Sequence, residues 1–131
     1  MIVGDASLCM PETRQKRLTW LGTSRADACA FPSDLRRIAA FQLVRVQRCL
    51  HPTHFRPMTR VGGGVREMRL RATAPERILY LASYPDAVYV LHAFCKTTPQ
   101  LSTRDVLLAR DRLRELERLR MNLERFELSH V

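Results

Sequence analysis

Between Ser33 and Leu50 apolar residues return every three or four positions, at Leu35, Ile38, Ala39, Leu43, Val46 and Leu50, with Arg36, Arg37, Arg45 and Arg48 among them. That spacing predicts an amphipathic helix capped by Ser33 or Asp34, resting on an apolar surface and stopped by Pro52. A second stripe runs through Val106, Ala109, Leu113, Leu116, Leu119, Leu123 and Phe126, opened by Ser102 and Asp105 in capping-box spacing. Ser24 with Asp27 predicts a brief helix that Pro32 ends. Elsewhere the period is two. Residues 65–72, 77–84 and 87–95 read as strands, the last two joined by a tight turn at Pro85 and Asp86, and "KRLTWLG" at 16–22 reads as a short strand closed by Gly22. The stretch "HPTHFRPMTRVGGG" reads as loop, and residues 1–15, with Gly4 and Pro11 and little periodicity, as a loose tail. Strand, two helices, three strands and a helix make an α+β fold: a small twisted antiparallel sheet packed against two helices from the N-terminal half, with a C-terminal helix.

Alternation along a strand sends every second side chain to the same face. Met68 and Leu70 then share one face with Arg66, and Glu67, Arg69 and Arg71 share the other. In the next run but one, Val88, Val90, His92, Phe94 and Lys96 fall together, opposite Ala87, Tyr89, Leu91 and Ala93. If the strands are neighbours, Arg69, Arg71, His92 and Lys96 converge on one surface with Glu67 near it. A solvated face of an antiparallel sheet accounts for charged positions equally well, although His92 and Phe94 stand in a strongly apolar strand.

With 131 residues, 46% of them hydrophobic, the chain can build one domain with a core. Its 22 basic against 13 acidic residues give +9, which favours a polyanion or an acidic partner. Only Lys16 and Lys96 are lysines. GC-rich codons explain the excess of arginine, so the placement of the few lysines is the more informative signal. Cys9, Cys29, Cys49 and Cys95 form no C-x-x-C pair, which predicts neither structural zinc nor a disulfide framework, but reduced thiols. Neither a membrane span nor a signal peptide is legible, and the expectation is a cytoplasmic protein. Arginine matches phosphate oxygens in a bidentate fork, and a nearby lysine or histidine adds charge or moves a proton. Such a set suits RNA cleavage by the 2′-hydroxyl without a metal or other cofactor, and the strands carry no carboxylate cluster for two-metal chemistry.

The segments "KRLTWLGTS", "FPSDLRRIAAFQLVRVQRCL", "PMTRVGGGVREMRLR", "RILYLA", "AVYVLHAFCKTT" and "RDVLLARDR" follow one another between about Lys16 and Arg120. Within them stand Gly62 and Gly64, the Glu67-x-Arg69 pair, Arg77 opening a strand, and the run Leu91, His92, Phe94, Lys96. Taken in this order they resemble the phage-derived, gene-product-49-like group of HigB-type toxins in the RelE/ParE toxin superfamily. The resemblance implies a RelE-like domain over 16–120, after a tail over 1–15 and before a C-terminal helical extension over 121–131. It implies the toxin of a type II toxin-antitoxin pair, a ribosome-dependent mRNA endonuclease that inhibits translation. Its partners are then the ribosome, mRNA and an antitoxin with a HigA-like helix-turn-helix domain, with no membrane involved.

Carried across residue by residue, the resemblance makes Arg69 and Arg77 phosphate or transition-state stabilisers, and Lys96 the charge stabiliser or proton donor. His92 becomes an acid–base group or a packed structural residue, while Arg60, Arg66, Glu67 and Arg71 belong to the RNA-binding face. Two positions depart from the family pattern. Thr97 stands where a second lysine is common, and Glu76 where an aromatic residue precedes the strand-opening arginine. Two alternatives stay in view: a non-catalytic inhibitor of the gyrase-poisoning kind found in the ParE branch of the same fold, and, favoured by these departures, a degenerate toxin that only binds its antitoxin and tunes their operon. Phe126 and His130 lie past the resemblance, where Glu124 and Glu127 suggest a plain helical tail. Met10 is as good a start as Met1.

Overall fold

The structure is a computed structural model and describes residues 15–129. The tail expected over 1–15, save Gln15, lies outside the described residues, as do Cys9, Met10 and His130. Eight elements follow in order: β1 (Arg17–Trp20), α1 (Ser24–Cys29), α2 (Ser33–Gln47), β2 (Phe55–Pro57), β3 (Val65–Arg69), β4 (Glu76–Leu81), β5 (Ala87–Cys95) and α3 (Thr103–Ser129). The fold is α+β, as the patterning predicts. One five-stranded sheet runs β1-β5-β4-β3-β2. Its last four strands are antiparallel, whereas β1 lies parallel to β5, with Arg17 beside Ala87 and Trp20 beside Val90. Among the described residues no helix is long and apolar enough to cross a membrane.

Helices cover both faces. Met68, Ile78, Tyr80, Val88 and Val90 pack with Ala28 and Phe31 of α1 and with Leu35, Ala39, Leu43 and Val46 of α2. Val65, Leu79, Leu81, Tyr89 and Leu91 pack with Val106, Ala109, Leu113 and Leu116 of α3. Double coverage explains why β5 reads as a nearly unbroken apolar run and is buried from Ala87 to Phe94. Ser102 does cap α3: its hydroxyl accepts from the Asp105 amide at 3.1 Å and donates to the Asp105 carboxylate at 2.6 Å. Beyond Leu116 the predicted stripe is not covered, and Leu119, Leu123 and Phe126 are each more than half or about half exposed.

Several boundaries differ from the periodic reading. The loop 51–64 contains β2, three residues long and ending in a proline, too short to show a period. α2 stops at Gln47 because Cys49 turns left-handed (φ 66°) and the Leu50 amide closes on the Arg45 carbonyl at 2.9 Å. At α1 the residue before the helix is Thr23, whose hydroxyl binds Asp27 at 2.8 Å, while Ser24 is buried and donates to the Val90 carbonyl. Cys29 and Cys95 are free thiols, but Cys49 is disulfide-bonded, against the expectation of reduced thiols throughout.

The largest departure is in β5. Tyr80 stands opposite Val90 and Leu79 opposite His92, so Leu91 is an extra residue, a β-bulge. Strict alternation from Val88 to Lys96 therefore fails: Val88, Val90 and Ala93 face α1 and α2, while Leu91 and Phe94 face α3. The bulge is anchored from α3. Arg112 donates to the Leu91 carbonyl at 2.8 Å and to the Thr23 hydroxyl at 3.0 Å. Gly22 (φ 54°) lies under that guanidinium, where a Cβ would collide with it.

Candidate functional site

Where β2, β3, β4 and the end of β5 meet, Arg56, Glu67, Arg69, Arg77 and Lys96 line a cavity of about 210 Å³, closed at one side by Thr98 and Pro99. Sheet register makes the grouping. Arg56 pairs with Glu67 across β2 and β3, Arg69 with Arg77 across β3 and β4, and Arg77 with Phe94 on β5. Lys96 follows Phe94 by two residues on the same face, and its amide extends the ladder to the Pro75 carbonyl at 2.7 Å.

Glu67 is the hub. Its side chain is 2% exposed and its Oε1 accepts from Arg56 Nε at 2.9 Å. Arg77 Nε is 3.9 Å from the same oxygen, and Lys96 Nζ is 3.6 Å from Oε2. Those two separations are ion-pair distances beyond hydrogen-bond reach, and both Oε2 and Arg77 Nε are buried without a hydrogen-bond partner. The deep end of the cavity thus holds an acceptor and a donor that are ion-paired but make no hydrogen bond. Arg77 is fixed instead through Nη1, which donates to the Ala74 and Glu76 carbonyls. Burial pushes the Lys96 ammonium below its ordinary pKa, with Glu67 opposing and Arg56 and Arg77 reinforcing the shift. Burial also lowers Arg77, against the pull of Glu67. Arg69 is exposed at the rim and has no carboxylate partner among the described residues. Four cations around one carboxylate leave an excess of positive charge, suited to a phosphate and to the further charge it gains in a transition state.

The remaining predicted site residues fall elsewhere. His92 shares the sheet face but does not line the cavity. Its Nε2 meets Asp105 Oδ1 at 2.7 Å, its ring stacks on Phe94 at 4.7 Å, and burial lowers its pKa against the pull of Asp105. It clamps β5 to the first turn of α3. Arg71 lies past the end of β3 and pairs with Asp34 of α2 at 2.9 Å, so it leaves the face expected for it. Arg66 is on the opposite face, beside His51 at 3.3 Å and over the Phe55 ring. Arg60 donates to the Leu101 carbonyl in a neighbouring depression of about 400 Å³ that shares Arg56 and Pro99 with the cavity. Glu76 is buried on the far side of β4 from Arg77, bonded by the Cys95 thiol at 3.7 Å. The sequence reading missed Arg56 because it missed β2, whose only trace was an apolar residue and a proline around that arginine.

Among the described residues no group of three or more His, Cys, Asp or Glu side chains is placed to hold a metal ion. No curated protein matches the chain. A family profile does: the phage derived protein Gp49-like family matches residues 27–114, a span that includes every residue of the cavity and both helices α1 and α2 but for the first turn of α1. With two thirds of its length matched in this way, the chain belongs to the phage-derived Gp49-like family.

Proposed function

We propose that this protein is the toxin of a toxin-antitoxin pair and that it cleaves mRNA in the Arg56, Arg69, Arg77, Lys96 cavity. The observation that carries the reading is the buried Glu67 ringed by those four cations, with one acceptor and one donor that make ion pairs but no hydrogen bond at the bottom. The reaction is transesterification. Glu67 Oε2 takes the 2′-hydroxyl proton as that oxygen bonds to the adjacent phosphorus, and the bond from phosphorus to the 5′-oxygen breaks. Lys96 delivers a proton to the departing 5′-oxygen, so a 2′,3′-cyclic phosphate and a 5′-hydroxyl result. Arg77 and Arg69 hold the non-bridging oxygens as their charge rises. A lysine pulled below its usual pKa gives up its proton more readily, which suits that role. Ribosome dependence and a HigA-like antitoxin belong to the same reading and rest on the family and on the +9 charge.

The test is induced expression followed by mapping of 5′ ends on translated messages. Growth arrest with new 5′-hydroxyl ends supports the reading. Arrest without them points to a non-catalytic inhibitor, and no arrest to a chain that retains only antitoxin binding, the outcome that Thr97 in place of a second lysine would favour.

A further inference from the structure

On the opposite face of the sheet, where α2 ends early, a second cavity of about 390 Å³ opens among Lys16, His51, Arg66, Tyr80 and Ser83. Its floor is Tyr80, directly across the ladder from Arg66. Tyr80 is fully buried, and its hydroxyl makes no hydrogen bond of good geometry, although the Arg66 guanidinium lies close enough to act on it. A buried hydroxyl without such a bond destabilises the free protein, and a phenylalanine would fill the same space without it. Two of the polar side chains around it, Arg66 and Lys16, can only donate. Arg66 spans from His51 Nδ1 to the face of Phe55, which in turn stacks on His51 at 4.7 Å. Lys16 uses one of its three protons on the Ala82 carbonyl at 2.8 Å. The α2 carbonyls nearby are already closed by the Arg48, Cys49 and Leu50 amides, so no acceptor of that helix end competes for these donors. Val46 and Leu50 add apolar wall, the latter half exposed.

We infer that this cavity is a docking site for an acidic peptide segment of a protein partner, which places one carboxylate against Arg66, Lys16 and the Tyr80 hydroxyl and an apolar neighbour against Val46 and Leu50. A carboxylate fits better than a phosphate group, because two oxygens are satisfied by one guanidinium and one hydroxyl, while the apolar wall matches a carbon side chain. Burial holds the Tyr80 hydroxyl protonated, with its pKa raised to about 12, so it remains a donor at any physiological pH. The inference is independent of the nuclease reading, since it uses none of the residues of the other cavity.

The probe is acetyl-Leu-Glu-Leu-amide, titrated into the full chain while the Tyr80 ring and Arg66 side-chain resonances are followed. Saturable shifts are expected, weakened about tenfold or more with the Gln peptide, with Arg66→Ala and with Tyr80→Phe, and unchanged with Arg69→Ala. Tyr80→Phe should also melt no lower than the parent, which separates a lost ligand contact from a damaged fold. Equal binding of the Glu and Gln peptides, or full binding by Tyr80→Phe, overturns the assignment. Shifts with inorganic phosphate or oligouridylate but not with the peptide overturn it in favour of a phosphate site. Shifts that appear only after Asp5→Asn and Glu12→Gln overturn it in favour of the chain's own N-terminal segment.

Discussion

Among single residues, Lys96 and Glu67 depend on each other through a buried ion pair at 3.6 Å. For Arg69→Ala or Lys96→Ala, mRNA cleavage should slow by ~10² to 10³, the cost of removing one donor to developing charge; single-turnover rates on a ribosome-bound message check it. In the proposed reaction Lys96 donates a proton, so cleavage should fall as pH rises through its folded pKa, which burial places below the ordinary 10.5. Glu67 is the group that holds this value up, so Glu67→Gln, besides slowing cleavage by removing the proposed base, moves the alkaline limb of the residual rate profile to lower pH. The same change leaves Lys96 and Arg77 without their buried carboxylate. The expected stability loss is on the order of 2 kcal/mol, short of the full cost of breaking a buried pair because Arg56 is half exposed. A limb that stays in place in the Gln variant would separate Lys96 from the proton transfer.

At the scale of elements, His92 joins β5 to α3 and makes the joint sensitive to acid. Burial lowers its pKa from 6.5, so the fold prefers the neutral ring; the stability this contributes is complete above pH 6.5 and is lost as pH falls through the lower folded value. Melting temperature should decline on acidification below pH 6.5, and His92→Gln should decline less. Ser102→Ala, which removes the cap of the same helix, should cost about 1 kcal/mol in urea unfolding at any pH. Helices α2 and α3 were legible because their apolar stripes keep the helical period, facing a core over α2 and over the first half of α3. β2 was not, since three residues carry no period. Nor was the partner of Arg71, because an ion pair with Asp34, 37 positions away, is set by where α2 lies and not by strand alternation. Arg69, Arg77 and Lys96 were placed together by family resemblance and by local alternation near each residue, which holds even though alternation along the whole of β5 does not.

For the whole molecule, charge should govern association. Four cations less one carboxylate put about three net charges at the cavity, so log affinity for single-stranded RNA should fall against log salt with a slope of about −2 from this site alone. Filter binding between low and physiological salt measures it, and a flat dependence would remove phosphate contact from the account. The helical layers meanwhile leave two openings on opposite faces of one sheet, one at Arg66 and Tyr80 and the other at Lys96. The bulge at Leu91 has one more consequence, and it concerns parity. As the chain is counted from Val90, a regular ladder of six steps would turn Lys96 toward α1 and α2, away from Arg69 and Arg77; the extra residue takes up one step and leaves the odd count that puts it among them. Deleting Leu91 is then the gentler change, because Lys96 keeps its side of the sheet. A substitution that merely irons the strand straight, with no change in length, would carry the lysine out of the cavity with its own chemistry intact.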